Sequence, residues 1–173
     1  MNTEYSIKKK KVKKMNEYTL GKVQYVRDGH NGTILKNGKK VAEFENYNGA
    51  ITETVYFDNI EDEKEFEEIG LKLQKGTQYA EMDLSGTDAF ITILLDRRER
   101  LKDKAKYIKK GFKVVMIGMV LDDFYKENNL LGDEITIWGN SVEEVKKVAK
   151  KVKNLVSLYE IADNGDLVNE IKF

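Results

Sequence analysis

From Tyr18 onward, short runs alternate apolar and polar positions between turn residues, the pattern of antiparallel strands. Leu20, Val23, Tyr25 and Val26 mark a first strand, and Asp28-Gly29-His30-Asn31-Gly32 reads as the turn after it. Next, Thr33 to Lys36 and Lys39 to Phe44 flank Asn37-Gly38. An Asn-Gly pair supplies the two positive φ values of a type I′ hairpin. A further turn at Asn46 to Gly49 precedes Ile51 to Phe57, with Ile51, Glu53, Val55 and Phe57 on one face and Thr52, Thr54 and Tyr56 on the other. The first third of the chain is expected to be an antiparallel β-meander.

The period then changes from two to 3.6. Asn59 is placed to cap a helix from Ile60 to about Gln74, with Glu61, Asp62 and Glu63 at the positive end of its dipole and Phe66, Ile69 and Leu73 as its apolar stripe. Thr87 is the expected cap of a long helix running through Phe90, Leu94, Leu101, Ala105 and Ile108 and stopped by Gly111. Phe112 to Leu121 reads as a central buried strand, followed by a short helical stretch at Asp122 to Asn128 and a strand from Glu134 to Trp138. Ser141 and Glu144 form a capping box ahead of the stripe Val142, Val145, Val148 and Val152. A last hairpin, Val156 to Ile161 and Leu167 to Phe173, turns at Asn164-Gly165. The expected fold class is α+β: an N-terminal antiparallel β-meander with an acidic helix, then a long helix and a mixed β/α layer ending in a C-terminal hairpin. The domain expectation is a partly ordered basic arm at 1–16, a meander with its acidic helix at 17–78, and an α+β body at 85–173, the last two joined or separate.

Composition narrows the classes. The 173 residues are 40% hydrophobic and 35% charged, with no Cys and no Pro. Disulfides, thiolate chemistry and sulfur-ligated metals are thereby excluded. No apolar run approaches the roughly 20 residues that span a bilayer. Lys8-Lys9-Lys10-Lys11 is not followed by a signal-type apolar stretch, so a cytoplasmic location without membrane contact is expected.

Thirty basic side chains balance thirty acidic ones, but the signs are sorted into blocks. Residues 1–40 hold eleven basic and three acidic side chains, 41–70 one and ten, and 89–113 nine and three. Segregation of this kind makes strong local fields that steer charged macromolecules. The acidic helix residues Glu61, Asp62, Glu65 and Glu68, with Tyr47 and Tyr56 as aromatic anchors, are the candidate protein-binding set, a negative face that mimics phosphate in a partner's basic groove. The alternative is a nucleic-acid-binding module. It uses Lys9, Lys11, Lys13 and Lys14 of the arm and Arg97, Arg98, Arg100 and Lys104 of the long helix.

Catalytic motifs are scarce. His30 is the single histidine and reads as a turn residue, so a zinc site is not expected. Asp122-Asp123 and Asp133-Glu134 are the carboxylate pairs that a divalent-metal nuclease would use, and helix capping explains the first pair more simply. Asp163-Asn164-Gly165-Asp166 lacks the spacing and terminal Glu of a calcium loop. Phosphate loops, dinucleotide fingerprints and nucleophile elbows are absent. No catalytic residue, metal or cofactor is assigned, and a non-enzymatic role is expected.

The stretch Leu35 to Phe44, its turn at Asn46 to Gly49, a strand, and then Asp62-Glu63-Lys64-Glu65-Phe66-Glu67-Glu68 resembles small uncharacterised accessory proteins of phages and mobile elements. The resemblance covers about residues 18–110 and implies no activity. It implies a setting in which small proteins bind host machinery stoichiometrically, including inhibition of restriction or CRISPR effectors. The functional expectation is therefore a non-catalytic protein-binding accessory factor whose partner is a host protein acting on nucleic acid. The charge blocks also permit head-to-tail pairing into a homodimer.

Overall fold

The computed structural model describes residues 18–48, 50, 52–75, 78–121, 123 and 132–173. The basic arm with Lys9, Lys11, Lys13 and Lys14, the residue Asp122, and most of the helical stretch expected at 122–128 lie outside the described residues. The chain forms two compact units, one ending at Leu95 and the other beginning at Asp96.

In the first unit, strands β1 (Tyr18–Val26), β2 (Gly29–Lys36), β3 (Lys39–Tyr47) and β4 (Thr54–Phe57) form an antiparallel sheet in sequence order. Asn37 and Gly38 turn the β2–β3 hairpin with φ of 51° and 77°, as its sequence requires. Residues 29–32 are not a turn. They belong to β2, where Tyr25 pairs with His30 and Gly32 with Phe44, so the reversal shrinks to Arg27-Asp28. The glycine here serves close packing, since a Cβ on Gly32 would stand 2.6 Å from the Phe44 ring. Two helices complete the unit: α1 (Ile60–Gln74), and the opening residues of α2 (Gly86–Lys109), with a 3-10 turn (Gln78–Glu81) between them.

Strand alternation sends Ile34, Ala42 and Phe44 to one face of the sheet, where Phe66 and Ile69 of α1 and Phe90, Ile91 and Leu94 of α2 close the core. Phe66 lies at its centre, edge-on to Tyr18 at 5.1 Å and stacked on Phe90 at 4.4 Å. The two helices touch through Gly70 and Gly86. A Cβ on Gly70 would be 1.7 Å from the Gly86 carbonyl oxygen, so no larger residue fits this crossing.

In the second unit, β5 (Val114–Val120), β6 (Asp133–Gly139), β7 (Leu155–Ile161) and β8 (Leu167–Lys172) form a sheet of order β6-β5-β7-β8. Both β6 and β7 run antiparallel to the β5 between them, and α3 (Val142–Ala149) links them as a crossover. Such a split β-α-β unit covers its sheet with a helix. The remainder of α2 supplies the second cover. Val115 and Ile117 of β5 join Ile161, Leu101, Tyr107, Trp138 and Leu167 in one cluster, while Met116 joins Ile137, Val145, Ala149 and Leu158 in another. A strand buried on both faces needs apolar residues at every position, which explains the uninterrupted run in β5.

The architecture is α+β, with a four-stranded meander, helices and a C-terminal hairpin as expected. Among the described residues no helix is long and apolar enough to cross a membrane.

Candidate functional site

The acidic set divides among three environments. Asn59 caps α1 by accepting from the Asp62 backbone N–H at 2.8 Å, which fixes the rotation of the first turn and swings Asp62 and Glu65 toward β2. There Lys36 donates to Asp62 Oδ1 at 2.9 Å and to Glu65 Oε2, and the Tyr18 hydroxyl donates to Glu65 Oε2 at 3.1 Å. Hydrogen bonds to Glu65 and Asp62 hold the Lys36 ammonium well above the ordinary lysine range. The Lys36 bond likewise holds Asp62 below the ordinary carboxylate range, and burial, then the Glu65 charge, pushes Tyr18 up to about 12. Asp62 and Glu65 therefore act as an internal tie between helix and sheet.

Glu67 is withdrawn as well. It accepts from the Gly86 and Thr87 backbone N–H groups at 2.9 and 2.6 Å, so the carboxylate of one helix caps the next. Burial opposes its ionisation, and the bonds from Thr87 and Gly86 outweigh it and lower its pKa. The side-chain cap of α2 is Ser85, whose Oγ accepts from the Asp88 backbone N–H at 3.0 Å, rather than the expected Thr87. The signal was present as Ser85-x-x-Asp88, a capping box two residues upstream.

Glu61 and Glu68 remain at the surface, and Glu68 is 71% exposed with Lys72 one turn away at 3.7 Å. Tyr47 and Tyr56 occupy the face of the first sheet opposite its core. Pairing of Tyr56 with Glu43 and the alternation of β3 place them beside Glu43 and Glu45. A groove of about 310 Å³ on this face is lined by Lys22, Gln24, Asn31, Glu43, Glu45, Tyr47 and Tyr56 among others. Its tyrosines are oriented by their hydroxyls. Tyr56 donates to Glu45 Oε1 at 3.3 Å, and Tyr47 accepts from Asn31 Nδ2 at 3.2 Å, leaving both rings open at 58% and 41% exposure.

His30 is not a turn residue. From β2 its Nε2 lies 2.9 Å from Glu53 Oε1, and the Glu53 backbone N–H donates to Asp88 Oδ1 at 2.7 Å. The chain His30–Glu53–Asp88–Ser85 thus latches the sheet to the start of α2. The open groove beside His30 is lined by Asp28, Gly29, Asn46, Asn48 and Ala50, none of which offers a hydroxyl or amine for the imidazole to activate. Among the described residues no group of three His, Cys, Asp or Glu side chains is arranged to hold a metal ion.

Three members of the helical basic set are engaged within the fold. Arg97 is 8% exposed and grips Asp166 at 2.6 and 3.2 Å, Arg100 binds Glu134 and the Gly165 carbonyl, and Lys104 donates to the Ile161 carbonyl at 2.8 Å. Arg98 is half-buried. Arg97, Arg100 and Lys104 fasten α2 to the second sheet. No protein-family model, curated protein or solved structure matches the chain.

Proposed function

We propose that the chain is a non-catalytic protein-binding factor whose first unit engages a basic protein surface through the tyrosine-bearing face of its sheet. The observation that carries this reading is the pair Tyr47 and Tyr56, held by their hydroxyls with exposed rings beside two glutamates in one groove. Tyrosine gives large contact area at low entropic cost and is enriched in binding hot spots. The surrounding charge supports the same partner. Residues 18–95 carry fourteen acidic against eight basic side chains, and Glu61 and Glu63 stand at the surface outside the internal ties described above, while Glu68, among the described residues, meets only Lys72 at the surface.

The partner class we infer is a cytoplasmic host protein that acts on nucleic acid, since its phosphate-binding surface is basic. Occupying that surface would make the chain a stoichiometric inhibitor, the role expected in the mobile-element setting that the sequence resembles. The test is affinity capture from host cells, identification of the recovered protein, and titration of the purified pair by calorimetry. Tyr47→Ala with Tyr56→Ala is expected to weaken the complex at least about tenfold while the melting temperature holds. Unchanged affinity in that double variant would overturn the reading.

A further inference from the structure

The structure assigns a second, separate contact surface: we infer that the stretch Lys146 to Lys153 binds nucleic-acid backbone without regard to sequence. It does not rest on the protein-binding reading, because it lies in the other unit. The stretch reads Lys-Lys-Val-Ala-Lys-Lys-Val-Lys, five lysines in eight residues and no acid. Burial assigns their directions. Val145 and Ala149 are fully buried and Val152 packs on the same cluster, so the lysines between them turn outward. Lys147, Lys150, Lys151 and Lys153 are exposed and Lys146 is half-buried.

The stretch also lacks neutralisation. Lys36, Arg97 and Arg100 each meet a carboxylate in the fold. None of the five lysines from 146 to 153 pairs with a carboxylate among the described residues. Of the two acids one turn back along the helix, Glu144 is committed to the Asn140 backbone N–H at 2.7 Å, and Glu143 makes no ion pair with Lys146 or Lys147. Lys146 and Lys147 stand in the last turn of α3, and Lys150, Lys151 and Lys153 follow directly after it, so five like charges crowd one end of the helix and repel. The negative end of the helix dipole offsets part of this repulsion. A polyanion would relieve the rest.

The residue types choose among polyanions. Protein interfaces are depleted of lysine and anchored by Trp, Tyr and Arg, none of which occurs between Ser141 and Tyr159. Lysine is a compact point charge that suits a phosphate oxygen and lacks the planar fork that reads a guanine edge. A lysine cluster at the end of α3 therefore fits phosphates whatever the bases.

The test is fluorescence anisotropy of the full chain with a labelled 20-base-pair duplex, titrated between about 50 and 200 mM salt. Wild type is expected to bind in the micromolar range with a steep salt slope. Lys147→Gln, Lys150→Gln and Lys151→Gln together should lower that slope by about 2.7, at roughly 0.9 per phosphate contact, and weaken binding at least about tenfold at low salt. Replacing the same three by arginine should restore it. The equal-charge control Lys106→Gln, Lys109→Gln and Lys110→Gln should change affinity less than about twofold, and two duplexes of unrelated sequence should bind alike. The proposal is overturned if the first variant binds as wild type does, if the control falls as far, or if Lys9, Lys11 and Lys13 to Gln removes all binding by itself. It is equally overturned if the chain ignores the duplex but binds labelled polyglutamate, which would assign the face to an acidic protein.

Discussion

Lys36 ends the second strand next to an Asn-Gly turn, a position where a lysine is ordinarily solvated, yet its ammonium serves Asp62, Glu65 and the ring of Tyr18 at 5.5 Å. Substituting Lys36→Met strips two partly buried carboxylates of their counter-charge. A loss of about 2 kcal/mol is expected from urea denaturation, the scale of a hydrogen bond to a charged group. The pH dependence has a defined sign. Lys36 and Tyr18 both have raised values, so the folded state holds protons that the unfolded chain releases, and stability falls as pH rises above about 10, with the Tyr18 part lost by about 12. Asp62 and Glu67 have lowered values, so their contribution is present above about pH 4 and is lost as pH falls through their folded values. Urea midpoints measured across pH should fall at both ends. In Lys36→Met the alkaline fall should shrink, and a wild-type profile flat from pH 9 to 12 would contradict the Lys36 tie.

Elements meet at points that tolerate little substitution. Where α1 crosses the start of α2, Gly70 faces Gly86 with no room for a methyl group, and Glu67 reaches from the same helix to cap α2. Gly70→Ala improves helix propensity by about 1 kcal/mol. The clash with a backbone carbonyl outweighs it, and a net destabilisation of about 1–3 kcal/mol is expected by thermal or chemical denaturation. Ser85→Ala, which removes the α2 cap but no packing, should cost about 1 kcal/mol. A stabilised Gly70→Ala protein would show that the helices separate at no cost.

At the scale of the whole molecule, neutrality is a sum of unequal parts. Residues 1–17 carry six basic and two acidic side chains, 18–95 eight and fourteen, and 96–173 sixteen and fourteen. Near the isoelectric point of about 6.6, little net repulsion keeps copies apart, while the oppositely charged regions attract. Light scattering is therefore expected to show the greatest self-association near pH 6.6 at low salt. It should disperse in about 1 M salt, where screening shortens to about 3 Å. Scattering independent of salt would assign any association to apolar contacts instead.

The strand and helix periods, the Asn37-Gly38 hairpin and the caps at Asn59 and Ser141 were legible along the chain because each depends on residues a few positions apart. The same locality explains the errors. Gly29 to Gly32 resembles a turn because glycine's role in close packing against Phe44 appears only when β3 is in place, and Thr87 competes with Ser85 as a cap because both hydroxyls precede the same apolar run. Charge showed the divide most sharply. Sequence determined how many acids and bases stand in each block, but whether they face a partner or one another depends on groups far apart in the chain, such as Lys36 with Glu65 and Arg97 with Asp166. Coulomb attraction acts through space, so only the tertiary structure decided that Asp62, Glu65, Arg97 and Arg100 are ties within the fold. It also decided that Tyr47, Tyr56 and the lysines from 146 to 153 stand outward.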